Sequence, residues 1–118
     1  MMDTTFARAF VNGWIDAWNH HDLDRILGHY VDDFEMSSPL IQTMAGEPSG
    51  TLKGKAVVGA YWAKALAKYP DLHFDHVATF AGVDSIALQF RWSGGVATEV
   101  FLFGPDRKVR KAFAHHVA

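Results

Sequence analysis

The sequence predicts an α+β fold in which three helices precede an antiparallel sheet, with residues 1–118 forming one domain. The first observation is periodicity: apolar residues recur every three to four positions in three segments before Pro70, and every second position after it. The second is the spacing of turns, since short Gly-, Pro- and Asp-containing sequences separate the alternating segments, as in successive hairpins. Helices gathered ahead of hairpins indicate a sheet that carries its helices on one face.

Three apolar helix faces can be followed along the chain. The first begins after a capping residue at Asp3 and consists of Phe6, Phe10, Trp14, Ala17 and Trp18. The second begins after Asp22 and consists of Leu23, Ile26, Leu27 and Tyr30. The third ends at Pro70 and consists of Val58, Tyr61, Trp62, Ala65, Leu66 and Tyr69.

Residues 37–53 show no periodicity. A brief strand is expected just before them, at residues 34–36. The segment is rich in Gly, Pro and Ser, which favours a long loop, yet it also contains the apolar residues Leu40, Ile41 and Met44. Two interpretations stay open: a loop packed on the surface, or a lid over a pocket.

Four strands are expected after Pro70. They cover residues 72–80, 86–92, 97–103 and 109–117 and form an antiparallel meander. Both faces of the last two strands are apolar, since Val100 alternates with Phe101 and Ala112 with Phe113. A sheet that is apolar on both faces needs a cover on both, and the helices can cover only one. The sequence therefore predicts a homodimer through the outer face of the sheet.

Composition argues against several classes of partner. The formal net charge is −2 and no more than two Lys or Arg residues stand in succession, which argues against nucleic acid. No signal peptide is visible and no apolar stretch approaches eighteen residues, so no membrane association is expected. Cysteine is absent, which excludes thiol chemistry and is typical of a cytoplasmic protein. We expect no metal and no cofactor, because neither clustered metal ligands nor a nucleotide-binding motif stands out.

Several short motifs resemble those of known families. They are the Trp14–Asn19 segment followed by His21-Asp22-Leu23, the Tyr30–Asp33 segment, Ser38-Pro39, Gly54-Lys55 and the Pro70–Phe74 segment. Together they resemble the SnoaL-like and ketosteroid isomerase-like families of the nuclear transport factor 2-like superfamily. The resemblance implies a cystatin-like, cone-shaped barrel that is open at one end. It also implies pairing back to back through the sheet.

The resemblance can be carried to individual positions of the isomerase site. The catalytic base of that family falls at Ser38, whose hydroxyl cannot abstract a proton as a carboxylate does. The oxyanion-binding tyrosine falls at Trp14, which can donate a hydrogen bond but cannot give up a proton. Two supporting tyrosines fall at Tyr30 and Trp62, and the second oxyanion donor falls at Glu99, which keeps the acid. The polyketide cyclases of the SnoaL kind are similar overall.

In those cyclases, as the resemblance implies, the acid–base carboxylate lies near the end of the last strand. This chain has His115-His116-Val117 there, and a histidine can serve as a base near neutral pH. We therefore take Glu99 and His116 as the candidate catalytic residues. Glu99 is flanked by apolar residues, and burial would raise its pKa and favour proton donation. The alternatives are a Glu99 paired with Arg91 or Arg110, and a half-exposed His116.

The many aromatic residues predict an apolar pocket. Its expected lining is Trp14, Trp18, Tyr30, Ser38, Tyr61, Trp62, Leu88, Phe90, Phe101, Ala112 and Ala114. Such a pocket suits a small hydrophobic molecule with a carbonyl or hydroxyl group. The function expected is a cofactor-free cyclase, isomerase or dehydratase, and the alternative is a protein that only binds the ligand.

The distance between the two catalytic candidates follows from strand pairing. With Glu99 opposite a residue near Ala112, His116 is expected roughly 13 Å away from Glu99.

Overall fold

The computed structural model describes residues 2–118. Helix α1 spans Thr4–Asn19, and the side chain of Asp3 caps it by accepting a hydrogen bond from the Thr5 backbone N–H. Helix α2 is short, Leu23–Leu27, and Asp22 caps it in the same way through the Arg25 N–H. Strand β1 spans Tyr30–Ser37, helix α3 Pro39–Met44, strand β2 Thr51–Lys53 and helix α4 Lys55–Lys68.

The second half of the chain forms four strands: β3 Asp75–Ala81, β4 Ser85–Trp92, β5 Gly95–Phe103 and β6 Val109–His116. All six strands belong to one sheet in the order β2-β1-β6-β5-β4-β3. Neighbouring strands are antiparallel except β1 and β6, which are parallel, so the expected purely antiparallel sheet is corrected at this pair. The α+β class is confirmed.

One face of the sheet, the inner face, is packed against the helices. Residues 97, 99, 101 and 103 of β5 point inward and are buried, as the alternation of that strand requires. The core is aromatic: the Phe10 ring meets the rings of Phe101 and Phe103 edge-on, each with 4.9 Å between centroids. Such edge-to-face contacts are favoured by the charge distribution of the rings, and they account for part of the high aromatic content.

The segment between β1 and α4 is more ordered than the sequence indicated. It contains helix α3 and strand β2, so the fold has four helices rather than three within residues 2–118. Ser38 caps α3 by accepting a hydrogen bond from the Leu40 N–H at 3.1 Å, and Pro39 occupies the first helical turn, where proline is favoured. Ile41 is fully buried and attaches the helix to the core. The Ser-Pro pair was therefore a helix-start signal that the lack of periodicity obscured.

Two other elements differ from expectation. Tyr30 was expected on the second helix, but α2 ends at Leu27 and Tyr30 opens strand β1. Strand β3 begins at Asp75 rather than at residue 72, and its register with β4 shifts at Val77. Such a bulge moves the following residues to the opposite face. The alternation of residues 72–80 alone predicts that Phe80 shares the face of Phe74, but with the bulge Phe80 lies on the outer face with 55% of its surface exposed.

The outer face of the sheet carries several apolar residues. Val100, Leu102 and Phe113 are only partly buried, and Phe80 is exposed.

None of the helices within residues 2–118 combines the length and apolar character needed to cross a membrane.

Candidate functional site

A cavity of about 140 Å³ lies between the helices and the inner face of the sheet. Its walls are mostly aromatic: α1 contributes Trp14 and Trp18, and α4 contributes Tyr61 and Trp62. Trp14 and Trp18 stand four positions apart and so share the face of α1 that packs on the sheet, while Tyr61 and Trp62 are adjacent on α4. The cavity can therefore surround an apolar ring on several sides.

The mouth of the cavity is formed by residues that are partly exposed. Leu40 and Met44 lie one helical turn apart on α3, and Tyr69 follows α4. Met44 and Tyr69 expose 37% and 39% of their surfaces. Because Ile41 anchors α3 in the core, this short helix forms a fixed edge of the opening.

Glu99 is the buried carboxyl group of the cavity. It lies on β5 opposite Ala114 of β6, is 5% exposed, and its Oε1 atom has no hydrogen-bond partner. Burial raises the pKa of Glu99 to about 8, because the charged form loses its hydration. Arg91 and Arg110, the alternative partners, are exposed, and the salt bridges among residues 2–118 do not include Glu99. At neutral pH the group is therefore mainly a neutral acid that can donate a proton.

Trp14 and Tyr30 form a buried pair beside this acid. The Trp14 indole Nε1–H donates a hydrogen bond of 2.9 Å to the Tyr30 hydroxyl. Burial, and then the nearby Glu99 carboxyl, raise the pKa of Tyr30 well above its ordinary value, so the phenol stays protonated. The Trp14 N–H is used within the protein, which leaves it unable to serve as the oxyanion donor that the resemblance implied at this position.

His116 lies on β6 opposite Ala97 and faces the same side of the sheet as Ala114. It is partly buried, its ring is 5.6 Å from the Trp92 ring, and burial, followed by the charge of His115, lowers the pKa of His116. The imidazole is therefore neutral at pH 7 and able to accept a proton.

Glu99 and His116 are closer than the sequence suggested. Because Glu99 pairs with Ala114, His116 is its diagonal neighbour, at a backbone distance of about 7–8 Å rather than roughly 13 Å. Two features cause the shift in pairing. The Gly104 N–H bonds to the Lys108 carbonyl, so the turn before β6 extends to Lys108, and the register shifts by one further residue between Phe103, which pairs with Val109, and Leu102, which pairs with Lys111.

A family model described as the SnoaL-like domain matches residues 11–117. The chain belongs to the SnoaL-like family. A SnoaL-like protein of unknown function from Burkholderia thailandensis has a similar crystal structure, with 60% identity, a TM-score of 0.95 and 98% of both chains covered.

Two more distant SnoaL-like or related structures share the fold. An NTF2-like protein of unknown function from Burkholderia pseudomallei is 14% identical, with a TM-score of 0.75 and coverage of 98% of this chain and 92% of that one. The epoxide hydrolase/cyclase-like enzyme SalBIII, with a role in pyran ring formation in the polyether salinomycin, is 17% identical, with a TM-score of 0.78 and coverage of 99% and 95%. None of the curated proteins matches the chain.

Most residues expected at the site of this SnoaL-like domain line the one cavity. They are Trp14, Trp18, Ser38, Tyr61, Trp62, Phe90, Glu99, Ala114 and His116. The other four, Tyr30, Leu88, Phe101 and Ala112, are fully buried in the core and do not line the cavity. Phe101 shows the reason: its ring is covered by the rings of Phe10 and Trp14. Helix α1 therefore lies between Phe101 and the open space.

Several lining residues of the SnoaL-like cavity were missed from the sequence. Trp92 alternates with Phe90 on β4, so the signal for it was present. Leu40 and Met44 could be assigned to the cavity lining only once Pro39–Met44 was known to form helix α3. Phe74 lies in a loop, where Asn19 holds its backbone by bonding both its N–H at 2.8 Å and its carbonyl at 3.0 Å. These two bonds give Asn19, the last residue of the Trp14–Asn19 segment, a structural role.

A second, more polar pocket adjoins the cavity of this SnoaL-like domain and shares Tyr69, Leu72 and Trp92 with it. Its charged residues have both signs: Lys68, Asp71, Asp75 and Arg91. In the part of the chain that the structure describes, no three His, Asp or Glu residues are grouped as they would be around a metal ion.

Proposed function

We propose that this SnoaL-like protein is a cofactor-free acid–base enzyme that acts on a small hydrophobic carbonyl compound, in a cyclisation, an isomerisation or a dehydration. The observation that carries the proposal is Glu99, a buried carboxyl group without a partner on the wall of an aromatic cavity. Groups with strongly shifted pKa values in a cavity are frequent at active sites. A merely structural carboxylate would be paired or solvated.

In this mechanism the neutral Glu99 acts as the acid. Its proton is donated to the carbonyl oxygen, while His116 removes a proton from a carbon or hydroxyl at the other end of the ligand. An enol or an activated hydroxyl results, with Glu99 left as the carboxylate and His116 as the imidazolium. In the subsequent step His116 gives its proton to the product and Glu99 takes one back, so both groups return to their starting states. The backbones of the two residues are about 7–8 Å apart and both residues line the cavity, so one small ligand can contact both groups.

The relatives give limited support. SalBIII, the cyclase-like enzyme in pyran ring formation, has the same fold at 17% identity, so it supports the view that such a cavity can host ring chemistry.

The alternative function is ligand binding without turnover, and Ser38 favours it. Ser38 occupies the position of the isomerase base, and its hydroxyl accepts a hydrogen bond from the Leu40 N–H as the cap of α3. This residue has a structural task and no basic character, so a catalytic route needs His116 instead.

The test of the enzyme proposal is Glu99→Gln, after a ligand has been found by thermal-shift screening of small carbonyl compounds. We expect turnover to fall at least 100-fold while ligand affinity stays within a few-fold, because glutamine keeps the shape but cannot donate a proton. Equal losses of turnover and affinity would contradict catalysis and favour the binding function. Activity should also decline as pH rises through about 8, where Glu99 ionises.

We further propose a homodimer through the outer face of the sheet, and the cytoplasm as its location. Partly buried Val100, Leu102 and Phe113 support the dimer, because an apolar sheet face favours a cover. Phe113→Glu should convert the dimer into a monomer in light scattering. Val83→Glu, in an exposed turn between β3 and β4, is the control and should leave the mass unchanged. A monomeric wild type at micromolar concentration would contradict the proposal.

A further inference from the structure

Three buried side-chain atoms within residues 2–118 have no hydrogen-bond partner: the Nε1 atoms of Trp18 and Trp92, and Oε1 of Glu99. All three residues line the same cavity of about 140 Å³. Buried polar groups in folded proteins almost always have a partner, because an unpaired one loses its bonds to water without replacement. Because all three atoms belong to residues of one cavity wall, we infer that the missing partners belong to a ligand.

Trp14 provides an internal comparison. It lines the same cavity, and its indole N–H is buried too, yet it donates to the Tyr30 hydroxyl at 2.9 Å. The fold thus satisfies one indole of the cavity wall and leaves those of Trp18 and Trp92 free. Aromatic packing alone does not explain the difference, because Trp18 is packed as closely as Trp14, with ring centroids 5.2 Å from Trp62 and 5.5 Å from Phe74.

The chemistry of these groups defines the ligand atoms that they can meet. An indole N–H only donates, so its partner is an acceptor such as a carbonyl, ether or hydroxyl oxygen. Glu99 can donate as well when protonated. The lining contains no Lys or Arg, so a phosphate or a carboxylate would be buried without a counter-charge. A cation, in turn, offers the two indole N–H groups no acceptor, so the ligand that these groups fit is uncharged and carries at least two oxygen atoms.

The volume limits the size. An apolar protein cavity of about 150 Å³ holds a benzene molecule. The space of about 140 Å³ therefore suits one six-membered ring with its substituents directed at the mouth, and it is too small to enclose a molecule of several fused rings.

We propose that the indole N–H groups of Trp18 and Trp92, together with Glu99, bind the oxygen atoms of an uncharged single-ring ligand that carries at least two of them. This inference rests on the proposed function for the location of the site, and it adds the ligand class and two specificity-determining residues. Trp18 and Trp92 act by binding the ligand and take no part in proton transfer.

The test uses 4-hydroxyacetophenone and 4-methylacetophenone, two single-ring ketones that differ by a hydroxyl in place of a methyl group. In NMR titrations of the ¹⁵N-labelled protein, each of the four tryptophans gives an indole N–H signal, to be assigned independently of any mutation. With 4-hydroxyacetophenone, the Trp18 and Trp92 signals should move downfield on forming hydrogen bonds, and the Trp14 signal should move least. The hydroxy compound should bind about five- to tenfold more tightly than the methyl compound.

The ligand hydroxyl meets one of the two indoles, so one of the variants Trp18→Phe and Trp92→Phe should reduce this preference to less than about threefold, and the other should weaken both ligands alike through the ketone that they share. Trp62→Phe is the matched control: Trp62 lines the same cavity and loses the same ring volume, but its N–H is not among the unpaired buried atoms. The control should retain the preference. Binding without movement of the two indole signals, or an equal loss of the preference in all three variants, would overturn the inference.

This outcome is separable from that of the proposed function, which is judged by turnover in Glu99→Gln. Moving indole signals with no turnover of any ligand would contradict the enzyme and support the ligand class. Turnover of larger, multi-ring or charged compounds that leave the two indoles unaffected would support the enzyme and contradict the ligand class.

Discussion

The two ends of the inner sheet face are built differently, although the same strands form them. At the closed end, Phe101 and Phe103 of β5 fill the space beneath α1 by packing edge-on against Phe10. The open end carries small or polar residues instead: Ala97, Glu99, Ala114 and His116. The cavity therefore arises from a gradient of side-chain size along one pair of strands, with no break in the sheet.

Stability resides mainly at the closed end, and function resides at the open end. The closed end is filled and apolar, and burying such rings is among the largest contributions to the stability of a small domain. The open end holds the unpaired polar groups and the group with the strongly raised pKa, which cost free energy in the absence of a ligand. Unsatisfied groups of this kind persist at functional sites, where a ligand supplies their partners.

The largest change in the free energy of unfolding is expected from the ionisation of Glu99 at the open end. Burial raises the pKa of folded Glu99 from 4.5 to about 8, so its contribution to stability is fully present below pH 4.5 and is lost as pH rises to about 8. One pKa unit corresponds to about 1.4 kcal/mol, so Glu99→Gln should gain roughly 3–5 kcal/mol in free energy of unfolding relative to wild type between pH 4 and pH 9. Urea denaturation of both proteins at several pH values measures this difference.

The control for that experiment is Glu35→Gln. Glu35 lies on the other face of the sheet, partly exposed and paired with Lys111 at 3.3 Å, so its replacement removes a carboxyl group that is not buried. A stability difference between wild type and Glu99→Gln that does not change with pH would contradict the view of Glu99 as a buried neutral acid.

A smaller change in stability is expected when leucine replaces alanine at two neighbouring inward positions of β6, one at each end of the sheet face. Ala112→Leu adds volume at the closed end, where Ala112 is fully buried opposite Phe101, and should cost about 1–3 kcal/mol through overpacking. Ala114→Leu adds the same volume beside the cavity. It should cost under about 1 kcal/mol and abolish binding of 4-hydroxyacetophenone, because the leucine occupies ligand space.

Urea denaturation gives the stability of the two leucine variants, and an NMR titration gives the affinity. Equal destabilisation at both positions, or undiminished binding to Ala114→Leu, would show that the open end is packed like the closed one.

The sequence predicted the class of fold well because that class depends on local patterns. The helical faces of α1 and α4 and the alternation of β4 and β5 follow from spacing within each element. Patterns were least informative where elements were short: α3 has six residues, too few for a period, and only its Ser38 cap and Pro39 marked it. Phe80 was assigned to the wrong face because an alternating pattern cannot reveal an extra residue such as the bulge at Val77.

For the site, the alternation in the sequence placed Glu99 on the same strand face as Phe101 and Phe103, and helical spacing placed Trp14, Trp18 and Trp62 on the buried faces of their helices. Only the tertiary structure decided which polar atoms were left unpaired. Trp14 and Trp18 are alike in sequence context, yet the hydroxyl that satisfies Trp14 comes from Tyr30, sixteen residues away. The tertiary structure also decided the distance from Glu99 to His116 and the volume between helices and sheet. Both depend on the register and packing of distant segments, which no local period encodes.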